Sequence, residues 1–163
     1  MAIDSLTRGG PGRYALLALL LGALEVAISR LVRPGPVVSA AGLLVSLAVL
    51  AVTALAGAAA QRGGQRPGWA GALPGVVYGA ASGVGIFFQH TTLSEARLML
   101  EHDRARSQIT PEQAMQLANS AAIHLIQFLV GALLLAAFGI VVGSLAGVAA
   151  RRYFGPAGDG RSA

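Results

Sequence analysis

From Val37 to Ala60 the chain carries no charged side chain. A helix needs about 20 largely apolar residues to cross a bilayer, and this stretch supplies them. Three more stretches do the same: Tyr14 to Leu31, Trp69 to Phe88 and Ala121 to Ala150. A backbone in lipid must satisfy its own hydrogen bonds, so such runs read as helices. The last is longer than a bilayer requires and is expected to tilt or protrude. The expected fold is all-α: an integral membrane four-helix bundle with an extra amphipathic helix between spans three and four.

The composition points the same way. Hydrophobic residues make up 55% of the chain and charged residues 12%, whereas a soluble domain is about 25% charged. The chain has no lysine, and its arginines are scattered, so they form no stripe for nucleic acid. The lipid bilayer is the expected partner, with anionic headgroups near the arginines. No cysteine is present, which removes disulfides, thiolate metal sites and thiol nucleophiles.

Four spans put both termini and the second link on one side. That side holds Arg8, Arg13, Arg62, Arg66, Arg151, Arg152 and Arg161 against Asp4 and Asp159. The opposite side holds Arg30, Arg33, Arg97, Arg104 and Arg106 against Glu95, Glu101, Asp103 and Glu112. The first side carries the larger positive excess and is therefore expected in the cytoplasm. Tyr14, Trp69, Tyr153 and Phe154 are expected at that boundary as an aromatic belt. The organisation read from this is a cytoplasmic tail over residues 1–13, one membrane domain over 14–152 and a second cytoplasmic tail over 153–163. The expected setting is the inner membrane of a bacterial cell.

Arg8 and Arg13 before an apolar run, with "VVSA" downstream, imitate a signal peptide. Glu25 and Arg30 inside that run, and three later spans, argue for a retained first helix. The ends of spans two and four, "ALAGAAAQR" and "SLAGVAARR", resemble each other. A parallel repeat of two hairpins and the chance recurrence of small residues both account for this.

Glycines fall in rows. In "GALPGVVYGAASGVG", Gly71, Gly75, Gly79 and Gly83 stand four apart, and span four carries Gly131, Gly139, Gly143 and Gly147. In water each would cost up to about 1 kcal/mol against alanine. In lipid, where no hydrophobic force draws helices together, small residues allow close backbone approach. The two rows are expected to meet each other; the rival reading is the seam of a homo-oligomer. Pro74 either opens the third helix or kinks it.

The connector over residues 89–120 holds two helix-start signals, Thr92 with Glu95 and Thr110 with Gln113, the second followed by Pro111. The first helix is expected over 93–106, with Leu93, Ala96, Met99 and Leu100 on one side and Arg97, Glu101 and Arg104 on the other. The second is expected to start at Pro111 and run straight into span four. Such a connector serves as an outer lid or docking surface, or simply rests on lipid headgroups.

The third span "GWAGALPGVVYGAASGVG", the helix start "ITPEQAMQLA" and the final span ending in "AARR" resemble the bacterial four-span membrane family catalogued as a domain of unknown function, number 4199. The resemblance covers mainly residues 63–152 and implies the four-span architecture. It brings no functional residue with it, and the chain departs from the pattern at Glu25 and in its shorter, less acidic connector.

An ionisable side chain in a span costs about 2.5–3.5 kcal/mol even on the milder insertion scales, so it marks a candidate site. Glu25 lies roughly 9 Å inside the outer boundary at the helical rise. Gln89 and His90 leave span three on that side, and His124 and Gln127 enter span four there. These five are expected to gather in the outer half of the bundle. Either Glu25 takes up a proton or cation with help from His124, or Glu25 bonds to Gln127 and fixes helix register. Two histidines and one carboxylate could ligate zinc, but nothing in their spacing favours it. No GK[ST] phosphate loop and no GxSxG elbow occurs. No catalytic, metal or cofactor residue is therefore assigned. The expected role is a non-enzymatic structural or accessory component, working with a second copy or a membrane-protein partner; a small transporter or channel subunit built around Glu25 is the alternative.

Overall fold

The computed structural model describes Gly10 and residues 12–31, 36–102 and 109–154. The first nine residues, most of the link after span one, residues 103–108 and the C-terminal tail lie outside it, with several arginines of the orientation argument. So does the end of the first connector helix expected beyond His102. Among the described residues six helices run in the order α1 (Gly12–Leu31), α2 (Pro36–Arg62), α3 (Pro67–Gly83), α4 (Leu93–His102), α5 (Pro111–Ala118) and α6 (Ala121–Phe154), and a 3₁₀ turn, Val84–Phe88, extends α3. Four of them, α1, α2, α3 with its 3₁₀ extension, and α6, are long and apolar enough to cross a membrane. The described residues contain no strand.

The residue distribution is the reverse of a water-soluble bundle. The interior is built of small side chains: Ala18, Ala56, Ala60, Ala72 and Ala150 are buried, with Val45, Val49 and Val52. Large leucines point outward, among them Leu20, Leu43, Leu44, Leu133, Leu134 and Leu145. So much exposed apolar surface is untenable in water and is what lipid contact requires. Inside, small residues let the helices approach until backbone meets backbone.

Helix α3 is the hub. Its most extensive contact is with α6, and it also packs on α1 and α2; α2 reaches α6, while α1 and α6 barely touch. The α3–α6 seam is made by glycine. A Cβ placed on Gly71 would lie 2.8 Å from Gly143 Cα, and one on Gly143 would lie 2.9 Å from Gly71 Cα. Gly75 lies against the Leu135 carbonyl, Gly79 against Ala132, Gly83 against the Phe128 ring, Gly139 against Gly71 and Ala72, and Gly147 against Pro67. Only hydrogen fits at most of these positions. Gly131 departs from the expected row: nothing lies within 4 Å of where its Cβ would be. The α6 row therefore locks at one end and stands open at the other. Gly57 of α2 also presses on Gly143, a third backbone that the row reading did not include.

Pro74 sits fully buried inside α3, so it interrupts the helix ladder rather than opening it. Between α2 and α3 the chain reverses through Gly64, whose φ of 68° suits glycine. Gln65 N–H then donates to the Ala60 carbonyl at 2.8 Å, closing the end of α2. Trp69 and Tyr153 are exposed, as an aromatic belt needs. Tyr14 is not: it is buried against Val52 and Ala56, and its hydroxyl accepts from Arg13 at 2.6 Å. The α1–α2 contact has taken it out of the lipid face.

In the connector both capping boxes form. Thr92 N–H donates to the Glu95 carboxylate at 2.7 Å, and Thr110 N–H donates to Gln113 at 2.9 Å. The Thr92 amide, with its hydroxyl, holds the Glu95 carboxyl below its ordinary value. Helix α4 packs on α5 and buries Ala96, whereas Met99 on the expected apolar side remains exposed. The second connector helix does not run into span four. Asn119 breaks it, accepting from Thr91 N–H at 2.7 Å and donating to the Thr91 carbonyl at 2.9 Å. Ser120 then caps α6 by accepting from Ile123 N–H at 3.3 Å.

Candidate functional site

Glu25 is half-buried on α1, within the first candidate span. Its Oε2 accepts a hydrogen bond from the Tyr78 hydroxyl at 2.7 Å. Tyr78 comes from the hub helix α3 and is itself buried beside Ala18, Val45 and Val49. A tyrosine hydroxyl taken out of water needs a partner, and a carboxylate in a span needs a donor. The two satisfy each other across the α1–α3 contact. Among the described residues no arginine or histidine pairs with Glu25, and Oε1 has no protein donor. The nearby Arg30 is engaged elsewhere: it donates to the Gly85 carbonyl at 2.8 Å and lies over the Phe88 ring.

Glu25 borders a cleft of about 450 Å³ between α1, α3 and α6, with Ser46 of α2 also in its lining. The cleft exists because α1 and α6 do not close on each other. Tyr78, Ser29, Ser46, Ser82, Gln89 and Gln127 supply its other polar atoms. Phe128 and Leu135 form apolar wall, and Gly131 lies in its floor, which is why no side chain meets it. On its other side Glu25 borders a smaller hollow of about 110 Å³ against α2, lined by Ile28, Val38, Gly42 and Val45. The carboxylate is thus walled by space on two sides rather than by a packed seam.

Of the five residues expected to gather here, the structure places Glu25, Gln89 and Gln127 around one cleft. The expected Glu25–Gln127 hydrogen bond is absent; Tyr78 makes it instead. Neither histidine lines the cleft. His90 is exposed past the 3₁₀ turn, and His124 is buried edge-on to Phe87, ring centroids 6.1 Å apart. Phe87 of the turn also packs on Phe128 of α6, ring centroids 5.8 Å apart. Tyr78 was the partner that sequence reasoning missed. Its signal was there: tyrosines in membrane proteins favour the interface, so one in the middle of a span implies an internal acceptor. Ser46 and Ser29 bond to helix carbonyls as span serines do, at 2.9 Å to Gly42 and 2.8 Å to Val26. The described residues hold no group of three or more His, Cys, Asp or Glu side chains.

These features define a multi-pass α-helical membrane protein with a polar cleft beside an intramembrane carboxylate. No protein-family model, no curated protein and no solved structure matches the chain.

Proposed function

We propose that this is a non-enzymatic protein of the bacterial inner membrane, with both termini in the cytoplasm, acting as a small transporter or channel subunit whose working part is the Glu25 cleft. One observation carries the reading. The only acid in the four candidate spans borders a cleft of about 450 Å³ and has a single protein donor, Tyr78. An ionisable residue within a span that faces a cavity is by default a candidate functional site. The volume also lies within the range of about 300–1,000 Å³ usual for small-molecule sites.

The test is flux in liposomes. The parent protein should support a proton- or cation-dependent flux that Glu25→Gln abolishes while expression and helix content are kept. Unchanged flux in the variant, or no flux in the parent, would count against it. A second reading, a structural or accessory component, is favoured by the glycine seam, which packs α3 and α6 backbone to backbone. Co-purification after gentle solubilisation distinguishes it: a stoichiometric membrane-protein partner, with no flux, supports that role.

A further inference from the structure

We infer that the Glu25 cleft takes a hydrophobic monovalent organic cation, a bulky amine or quaternary ion, rather than a bare metal ion. The inference rests on the reading that the cleft admits a guest. Five observations lead to it. The site has one carboxylate and no second acid or imidazole within its lining, so a divalent ion would lack ligands. Its remaining polar atoms are hydroxyls and amides, which orient a guest without adding charge. Its walls include Phe128, Leu135 and Ile86, and an aromatic ring beside a carboxylate suits an organic cation. Finally, Glu25 keeps Oε1 free and has no cationic partner among the described residues, because Arg30 is held at Gly85 and Phe88. No side-chain cation among the described residues neutralises the carboxylate, and an external one of matching size would do so. About 450 Å³ is also far more space than a single inorganic ion needs.

Tyr78 then acts as a positioning residue. It holds Oε2 with its hydroxyl, and its own side chain belongs to the same cleft lining. Gly131 keeps the floor low, and any side chain there intrudes on the guest.

The experiment is equilibrium binding of tetraphenylphosphonium to the purified full chain in detergent micelles, with neutral triphenylphosphine oxide as the comparison. The cation is expected to bind once per chain and at least about tenfold more tightly than the neutral compound. Glu25→Gln should weaken it at least tenfold, Glu25→Asp much less. Gly131→Leu, which leaves the carboxylate in place, should also weaken it; this variant keeps the test alive if Glu25→Gln does not fold. Accessibility is read in parallel by labelling Ser82→Cys with a water-soluble thiol reagent. Equal binding of the two compounds, or undiminished binding by Glu25→Gln, overturns the inference and leaves the cleft reading standing. Labelling without any cation binding does the same. No labelling and no binding overturns both.

Discussion

The two ends of the α6 glycine row do opposite things. At Gly139, Gly143 and Gly147 the missing side chain is filled by the backbone or proline of a neighbour. At Gly131 it is filled by nothing, and the gap belongs to the Glu25 cleft. One residue type in one repeat thus serves as packing surface in one half of the bundle and as cavity floor in the other. What separates the halves is how closely a third helix approaches α6. Near Gly143 the backbone of α2 closes in at Gly57, whereas near Gly131 α1 stands off and leaves the cleft.

The strongest way to break this comparison is to put the same side chain at both ends. Gly143→Val forces a branched group into the backbones of Gly71 and Pro67. It should cost about 3 kcal/mol, read as a large drop in thermal unfolding temperature in detergent. Gly131→Ala should stay within about 0.5 kcal/mol of the parent, because its Cβ meets open space. Equal losses at the two sites would erase the distinction.

Next in size is the link between the halves. Tyr78→Phe removes the donor from Glu25 and should cost about 1–3 kcal/mol, since a half-buried carboxylate is left without its partner. Asn119→Ala removes both hydrogen bonds to Thr91 at the outer end of α6. About 1–2 kcal/mol is expected, with faster amide exchange at the α5–α6 junction and little change along the seam.

The smallest effect lies in the outer connector. Glu95 has its folded-state value lowered from 4.5 by the Thr92 cap. A lowered value means the cap contributes fully above about 4.5, the unfolded value, and is lost as pH falls through the lower folded value. Amide protection in the first turn of α4, corrected for intrinsic exchange, should therefore fall in acid, and Glu95→Gln should remove that dependence.

Hydropathy alone was enough to read the four long helices, because lipid demands unbroken apolar length and a self-satisfied backbone. Thr92–Glu95 and Thr110–Gln113 were legible for a related reason: a capping box is local, written within four residues. The seam was half legible. Glycine spacing marks a face for close approach, but the Gly131 opening depends on where α1 lies, and spacing on α6 carries no trace of that. Glu25 could be singled out as costly, whereas its partner is 53 positions away and had to be found among every polar side chain at similar depth. His124 enters span four on the same side as Glu25, yet it packs on Phe87. Tyr14 stood where a belt residue should, and α2 buried it. Depth follows from sequence position; the direction a side chain faces follows from which helices are neighbours.

The contrast between a tightly packed seam and an open polar cleft can be measured on a single helix. The chain has no cysteine, so a single cysteine can be introduced on α3 either at Ser82, in the cleft lining, or at Ala72, buried at the seam. Each variant is exposed in membranes to a positively charged, water-soluble thiol reagent. Ser82→Cys should label readily, and more slowly once Glu25→Gln is added, while Ala72→Cys should stay unlabelled until the protein is denatured. Equal labelling at the two positions, or a Ser82→Cys as unreactive as Ala72→Cys, would contradict an open site beside Glu25.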